Sequence, residues 1–122
     1  MGMFNTVVAE AECPWCRQIS TYSIQFKYGE LGLYNYLLGE TLKWGEKGYD
    51  EEGRKDAHQV LVRGLGGSCR YCGSSEEDNW IEFCVLIEEN VLKSVFPLSD
   101  LWSDDYLILD DIDKKHHHRW RV

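Results

Sequence analysis

The sequence predicts a mainly β protein of one small domain. Several segments alternate apolar and polar residues with a period of two, the pattern of strands with one buried face. Glycines recur so closely between residues 29 and 53 that no long helix fits there. Two Cys-x-x-Cys pairs begin at Cys13 and Cys69, each close to a predicted strand. We expect antiparallel hairpins joined by the two cysteine pairs, with a short helix or an extended strap at the C-terminal end.

Length and composition place the chain among folded domains. Its 122 residues, 43% hydrophobic, suit one domain over 1–122 that buries a core. Within it we expect an inserted small sheet at about residues 29–56 and an acidic segment at about 98–122. No apolar run approaches the roughly 20 residues that span a bilayer, and no signal-peptide pattern is present. The expected compartment is the cytoplasm, where thiols stay reduced, and no membrane contact is expected.

The first two strands are predicted around the first cysteine pair. Phe4–Glu12 leads into Cys13, and Arg17–Tyr28 leaves the pair with clear alternation. The two segments should form a hairpin closed by the cysteines. Its apolar face, directed at the core, consists of Tyr22, Ile24, Phe26 and Tyr28.

The insert predicts short strands followed by an exposed loop. Leu31–Leu38 has the composition of a strand, and Gly39-Glu40 is a turn signal before a second short strand at Thr41–Trp44. Residues 45–56 are charged and glycine-rich without periodic apolar positions. We interpret them as a solvent-exposed, mobile connector.

The second half repeats the arrangement of the first. Ala57–Leu65 alternates and runs toward the second cysteine pair. Trp80–Glu88 is the clearest strand of the chain, and a turn at Glu89-Asn90 returns it as Val91–Phe96. The predicted inward face of the first of these strands consists of Ile81, Phe83, Val85 and Ile87. Cys84 lies on the opposite face, where we expect a packed thiol rather than a ligand.

The two cysteine pairs predict one metal site. The stretches are Cys13-Pro14-Trp15-Cys16 and Cys69-Arg70-Tyr71-Cys72-Gly73. Folded back as paired knuckles, they would place four sulfurs about 2.3 Å from a zinc ion at the corners of a tetrahedron. Gly73 suits the end of a knuckle because it adopts positive φ without steric cost. The predicted ligands are therefore Cys13, Cys16, Cys69 and Cys72, with zinc as the expected ion and iron as the alternative.

Two other uses of paired cysteines remain open. A redox dithiol normally opens a helix after a strand, and neither pair precedes a helical pattern. Disulfides would suit an exported chain, which the sequence does not indicate. The shared metal site is thus favoured over redox thiols and over disulfides.

Through these two stretches the chain resembles the zinc-ribbon and rubredoxin-like class. The resemblance covers the knuckles and their flanking strands, and it implies a metal-stabilised β scaffold without implying an activity. Two features depart from the class. Arg17 stands where a second knuckle glycine is expected, and 52 residues separate Cys16 from Cys69. The long insert must therefore have structure of its own.

The C-terminal segment predicts an acidic binding surface. Aspartates surround aromatic residues there, and interfaces concentrate binding energy in aromatic anchors with polar surroundings. The predicted partner-binding residues are Trp102, Asp104, Asp105, Tyr106, Asp110 and Asp111. The alternative is a solvated face that only maintains solubility. Beyond it, His116-His117-His118 admits three interpretations: metal ligands, an exposed tail or the remnant of a tag.

Charge and metal chemistry together predict a non-catalytic binding module. Four cysteines leave zinc no open position for water, so the ion is expected to be structural. The net charge of −8 disfavours nucleic acid and favours a basic protein partner. A toxin neutralised by an acidic immunity protein is one such partner. The alternatives are a zinc-ribbon protein that binds nucleic acid or serves transcription and, second, a small metal-dependent enzyme.

Overall fold

The computed structural model describes residues 3–73, 81–98 and 105–110, and it confirms the mainly β class. In these ranges no helix is long and apolar enough to cross a membrane. The strands in chain order are β1 (Asn5–Glu12), β2 (Ile19–Phe26), β3 (Gly29–Glu30), β4 (Asn35–Leu37), β5 (Glu51–Glu52), β6 (Gln59–Gly66), β7 (Ile81–Glu88), β8 (Val91–Pro97) and β9 (Tyr106–Ile108).

Two long hairpins make up most of the sheet, as the alternation predicted. Strands β1 and β2 pair along eight residues each, and so do β6 and β7. The sheet order is β4-β1-β2-β6-β7-β8, with β9 also paired to β6. The pairing is antiparallel except between β1 and β4, which run parallel, so the sheet is mixed rather than built only of antiparallel hairpins.

The junction between the two hairpins has few backbone pairs. Strands β2 and β6 register only at Gln25 with Leu65 and at Phe26 with Gly64. We call this junction the seam. Further along β6, strand β9 takes the place of β2 and pairs with Val60–Val62. Within the C-terminal segment, Tyr106–Ile108 therefore adopts the extended alternative, whereas Leu109 and Asp110 are helical.

The sheet curls until its two edges approach each other. After β4, the chain turns and bonds to the β7–β8 turn and the start of β8: Leu42 N–H donates to the Asn90 carbonyl (2.7 Å), and Gly39 N–H donates to the Leu92 carbonyl (2.7 Å). The apolar faces of the strands consequently enclose one core. Each predicted core residue of β2 and β7 is buried, namely Tyr22, Ile24, Phe26, Ile81, Phe83, Val85 and Ile87.

Two glycines of β6 leave room for side chains of the neighbouring strands β2 and β7 near the seam. Gly64 and Gly66 lie on the inward face of β6. A Cβ atom on Gly64 would collide with the Ile24 side chain, and one on Gly66 would lie 2.8 Å from the Phe83 ring. The Tyr22 and Phe83 rings then meet across the hairpins with centroids 4.8 Å apart. Side-chain packing thus compensates at the seam for the short backbone pairing.

The predicted strand Leu31–Leu38 is wrong in extent. Only Asn35–Leu37 forms a strand, because Leu33 has a φ of 58° and turns the chain out of extended conformation. This left-handed region is unfavourable for a branched side chain. The sequence contained no glycine or asparagine at position 33 to indicate it.

The buried side chain of Asn5 makes hydrogen bonds to the backbone where the predicted longer strand is absent. Its amide donates to the carbonyls of Tyr28 (3.1 Å) and Glu30 (2.9 Å). Its carbonyl oxygen accepts from the N–H groups of Gly32 and Tyr34, both at 3.2 Å. Asn5 is fully buried, so these four bonds satisfy a polar group that would otherwise be costly to bury. They fix the start of the insert against β1.

The segment 45–56 is exposed as predicted, but it is not a plain connector. Its strand β5 pairs with β3. The N–H groups of Glu46 (2.8 Å), Lys47 (2.9 Å) and Tyr49 (3.0 Å) all donate to the Glu30 carboxylate, whose residue is 0% exposed. Burial raises the pKa of Glu30, but these amide bonds outweigh it and lower the pKa below its usual value of 4.5. A buried anion therefore organises this loop.

Candidate metal centre

The two cysteine stretches lie at the same end of the sheet. Residues 13–16 form the turn between β1 and β2, and residues 69–72 lie in the connection from β6 to β7. We call these stretches the first and second knuckle. Their four sulfur atoms all lie within 4.8 Å of one another. The four predicted ligand residues thus lie together in the structure, and they could bind a metal ion.

The spacing of the sulfurs matches a tetrahedral ion. Cys13 Sγ lies 3.8 Å from Cys72 Sγ, and Cys16 Sγ lies 3.7 Å from Cys69 Sγ. A tetrahedron with zinc–sulfur bonds of about 2.3 Å has edges of about 3.8 Å. A disulfide would require about 2.05 Å, and all four thiols are free. These two distances fit a bound zinc ion, and the other sulfur pairs lie no more than 4.8 Å apart.

The two knuckles have the same internal hydrogen bonds. In the first, the N–H groups of Trp15 (3.4 Å) and Cys16 (3.5 Å) point at Cys13 Sγ. In the second, Tyr71 N–H points at Cys69 Sγ at 3.3 Å. Amide donors stabilise negative charge on sulfur, so both knuckles favour the thiolate form that metals bind.

Both knuckles also end in the same backbone conformation. Arg17 N–H donates to the Cys13 carbonyl (3.0 Å), and Gly73 N–H donates to the Cys69 carbonyl (2.8 Å). The φ angles are 66° at Arg17 and 71° at Gly73. The expected positive φ after each second cysteine is therefore present. Arg17 adopts it despite a cost of about 1–2 kcal/mol for a side-chain-bearing residue.

The four thiols would not all ionise in the absence of a cation. Amide hydrogen bonds from Cys72 and Tyr71 outweigh burial and lower the pKa of Cys69 to about 6. The backbone of Gln18 favours a thiolate at Cys16, yet burial and the neighbouring sulfurs raise the pKa of Cys16 to about 12. Like charges this close suppress one another's ionisation. A bound divalent cation removes that repulsion and stabilises four thiolates together.

Each knuckle has one buried and one accessible cysteine. Cys13 is 0% exposed and Cys69 is 2% exposed, whereas Cys16 is half-buried and Cys72 is exposed. The fifth cysteine, Cys84, lies outside the group and is 1% exposed, and burial raises its pKa to about 11. The prediction of a packed thiol at Cys84 is confirmed.

Two exposed aromatic side chains flank the centre, and the sequence interpretation did not locate them. Trp15 (45% exposed) and Tyr71 (59% exposed) occupy the same position in the two knuckles. The Arg70 guanidinium lies 5.7 Å from the centre of the Tyr71 ring. Arg17, at the other knuckle, is 3.7 Å from the Glu12 carboxylate. The sequence does contain a signal for this pair of aromatic residues, because each Cys-x-x-Cys motif has one directly before its second cysteine.

The predicted partner-binding residues lie only partly within the described chain. Trp102, Asp104 and Asp111 fall outside the described residues. Asp105 is exposed, and its backbone carbonyl accepts the Arg63 N–H at 2.9 Å.

The other two predicted residues make contacts within the protein. The Tyr106 ring is half-buried and packs edge-on against Tyr28, with centroids 5.2 Å apart. The Asp110 carboxylate accepts the N–H groups of His58 (2.8 Å) and Gln59 (3.0 Å). The Tyr106 ring thus packs on Tyr28, and the Asp110 carboxylate bonds the backbone at the start of β6, structural uses that the sequence did not indicate.

Fold and centre together define a small, mainly β protein with a four-cysteine site that could bind a metal. No family model matches the chain, and no curated protein or solved structure is significantly similar to it. The geometry of the centre and the charge of the chain are therefore the features that bear on function.

Proposed function

We propose that the protein is a non-catalytic binding module in which one zinc ion joins the two hairpins. The observation that carries this proposal is the agreement between the sulfur–sulfur distances of 3.7 and 3.8 Å and the edge of a zinc tetrathiolate. Four cysteine ligands fill the tetrahedral shell and leave no position for a substrate or water. The ion then contributes to stability rather than to chemistry.

The position of the centre supports a structural role for the ion. The first knuckle belongs to the β1–β2 hairpin and the second to the β6–β7 hairpin, and these hairpins share only two backbone residue pairs at the seam. A metal bound by both knuckles would join the hairpins at the other end of β2 from these pairs, with two sulfur ligands from each hairpin. We therefore assign the ion the function of a second link between the two hairpins.

Metal analysis of protein purified without chelator tests this assignment. We expect about one zinc per chain, and a colourless solution that distinguishes zinc from an iron tetrathiolate. Cys13→Ser should lose the metal, whereas Cys84→Ser should retain it because Cys84 lies outside the group. Fully reduced wild-type protein that contains no stoichiometric metal would refute the assignment.

We propose further that the partner is a basic protein, such as a toxin neutralised by this module. The support is the net charge of −8, which speeds association with cations and opposes association with phosphates. Of the acidic residues expected to contribute, Asp105 is exposed. Asp104 and Asp111 enter the proposal from sequence.

Charge reversal tests the binding surface. Asp104→Lys combined with Asp105→Lys should slow association with a purified basic partner, and the slowing should fade as salt screens the interaction. Asp110 is left intact because its carboxylate bonds the backbone of β6. The matched control is Glu10→Lys with Glu52→Lys, which changes the charge equally at other exposed positions. Equal slowing in both double variants would show that only net charge matters.

A second candidate function, binding of single-stranded nucleic acid, has one observation in its favour. Trp15 and Tyr71 are exposed beside Arg17 and Arg70, and aromatic rings with guanidinium groups can stack bases and contact phosphates. Fluorescence anisotropy with labelled single-stranded oligonucleotides would detect such binding. It should weaken in Trp15→Ala and Tyr71→Ala but not in Tyr49→Ala, a control aromatic of similar exposure.

A further inference from the structure

We propose that the centre is also a redox-exchangeable link, in which a peroxide oxidises Cys72 and a Cys13–Cys72 disulfide replaces the metal across the two knuckles. This inference rests on the proposed zinc site. It adds that loss of the metal by oxidation leaves the two hairpins covalently joined.

The unequal exposure of the cysteines determines where an oxidant reacts. Cys72 is exposed, Cys16 is half-buried, and Cys13 and Cys69 are at most 2% exposed, so Cys72 is the most accessible of the four. Susceptibility of thiols to oxidation follows their accessibility and thiolate character. Cys84 is 1% exposed and should stay reduced. Cys72 is therefore the point of entry.

The distance to the opposite knuckle favours a cross-link between hairpins. Cys13 Sγ lies 3.8 Å from Cys72 Sγ, so the two atoms need to approach by less than 2 Å to reach disulfide bonding distance. Cys13 belongs to the turn of the β1–β2 hairpin and Cys72 to the β6–β7 connection. The bond would therefore span the same junction as the metal.

The chemistry needs one peroxide molecule for each disulfide. The Cys72 thiolate attacks hydrogen peroxide, an S–O bond forms, the O–O bond breaks and hydroxide leaves, giving a sulfenic acid. The Cys13 thiolate then attacks this sulfur, the S–S bond forms and a second hydroxide leaves. Two thiolates together lose two electrons, which reduce the peroxide. The ion, deprived of two of its four ligands, is released.

The consequence for the fold follows from the short pairing at the seam. Strands β2 and β6 register at two residue pairs, so this junction is the part of the sheet that depends most on the centre. A disulfide between the knuckles would preserve the junction without metal. Disulfides within a single knuckle would release the metal and leave the two knuckles without a bond to each other.

The test begins with zinc-loaded full-length protein of measured metal content. Hydrogen peroxide is added in increments, released zinc is followed with a chromophoric chelator, and non-reduced peptide maps identify the disulfide. We expect zinc release to accompany a Cys13–Cys72 link, with Cys84 still reduced. A first disulfide within either knuckle, or zinc release without any disulfide, would overturn the proposal.

Histidine variants separate the oxidation of Cys72 from the formation of the disulfide, because zinc also binds three cysteines and one histidine. Cys72→His should release zinc about tenfold more slowly under peroxide, since the accessible thiol is absent. Cys13→His keeps that thiol and should form a sulfenic acid at Cys72 that a dimedone-type reagent captures. Equal release rates in wild type and Cys72→His would refute Cys72 as the entry point.

The failure of this inference is distinguishable from failure of the zinc site. If the purified protein contains no zinc, the metal assignment is refuted before peroxide is added. The cross-link is then still tested in the reduced, metal-free chain, where the peptide map should show the same Cys13–Cys72 bond. A metal-free chain that forms only disulfides within a knuckle would contradict it.

Discussion

Two regions of the protein are each organised around buried charge, in opposite ways. At the knuckle end, four thiols lie within 4.8 Å of one another and need a cation to ionise together. In the insert, the anion is the Glu30 carboxylate, and the chain supplies the N–H groups of Glu46, Lys47 and Tyr49 around it. One region could be completed by an ion from solution, whereas the other is complete within the chain.

This difference indicates how the two regions should respond to change. Removing the metal should affect the seam between hairpins and leave the bonds around Glu30 intact. Replacing Glu30 should release the 45–53 segment and leave the sulfur group in place.

The largest effect is expected for Cys69→Ser. Structural zinc in small domains contributes about 10–16 kcal/mol of apparent binding free energy, comparable with the whole stability of a domain. We expect loss of stoichiometric metal and of cooperative thermal unfolding by near-ultraviolet circular dichroism. Cys84→Ser is the control, and it should retain the metal. A Cys69→Ser protein that unfolds at the wild-type temperature would contradict a structural role for the ion.

The packing of the seam is tested by Gly64→Ala. The new Cβ would collide with the Ile24 side chain, and overpacking in a core typically costs about 1–3 kcal/mol. Gly67→Ala is a matched control three residues beyond Gly64, since nothing lies within 4 Å of its Cβ position. Urea titrations should show a lower midpoint for the first variant only. Equal midpoints would show that β2 can move away from β6 without cost.

The insert is tested by Glu30→Gln. The neutral amide cannot reproduce the charged acceptor, and it leaves N–H groups of the 46–49 segment without a carboxylate partner. Hydrogen exchange should therefore accelerate at Glu46, Lys47 and Tyr49 while metal content stays unchanged. Glu52→Gln, which neutralises an exposed acid in the paired strand β5, should leave these rates as they are. Loss of metal in Glu30→Gln would show that the two regions are coupled.

The same carboxylate predicts a pH dependence with a defined sign. The folded pKa of Glu30 lies below its usual value of 4.5, so its contribution to stability is present above that value. The contribution is lost as the pH falls through the lowered folded pKa. Amide chemical shifts of the 46–49 segment should therefore stay constant through pH 4.5 and change only in more acidic solution. A transition at or above 4.5 would contradict the amide contacts.

The smallest effect is expected for Tyr28→Phe at the boundary between insert and sheet. The Tyr28 hydroxyl donates to the Arg54 carbonyl (3.1 Å) and accepts the Arg54 N–H (3.2 Å). Losing both bonds should cost about 1–2 kcal/mol. The Phe ring should keep its edge contacts with Trp44 and Tyr106. A change in free energy of unfolding near zero would indicate that water replaces the hydroxyl.

The sequence predicted the hairpins and the sulfur group well because both have local signals. Strand β2 alternates between exposed and buried at every residue, and the cysteine pairs have a fixed spacing. Arg17 stands where a knuckle glycine is expected, and the structure shows that it adopts the positive φ of that position.

The insert was predicted less well because its organising residues are polar and far apart in sequence. Asn5 bonds the backbone at positions 28 to 34, and Glu30 bonds amides at positions 46 to 49. Neither contact has a period or a motif. A buried carboxylate also contradicts the expectation that Glu lies at the surface. The left-handed Leu33 had no glycine to mark it, and so the predicted strand was too long.

Each knuckle lies within the connection of a hairpin whose strands are near neighbours in sequence, and this has a consequence for the order of assembly. Hairpins form in microseconds, so each can present two sulfurs before the sheet closes. Bringing Cys16 and Cys69 together across 52 intervening residues costs roughly 3.5 kcal/mol of chain entropy plus a constant. An ion captured by one hairpin retains two vacant positions, and these attract the thiolates of the other hairpin. Zinc would thus act before the core exists, and the refolding rate should rise with zinc concentration.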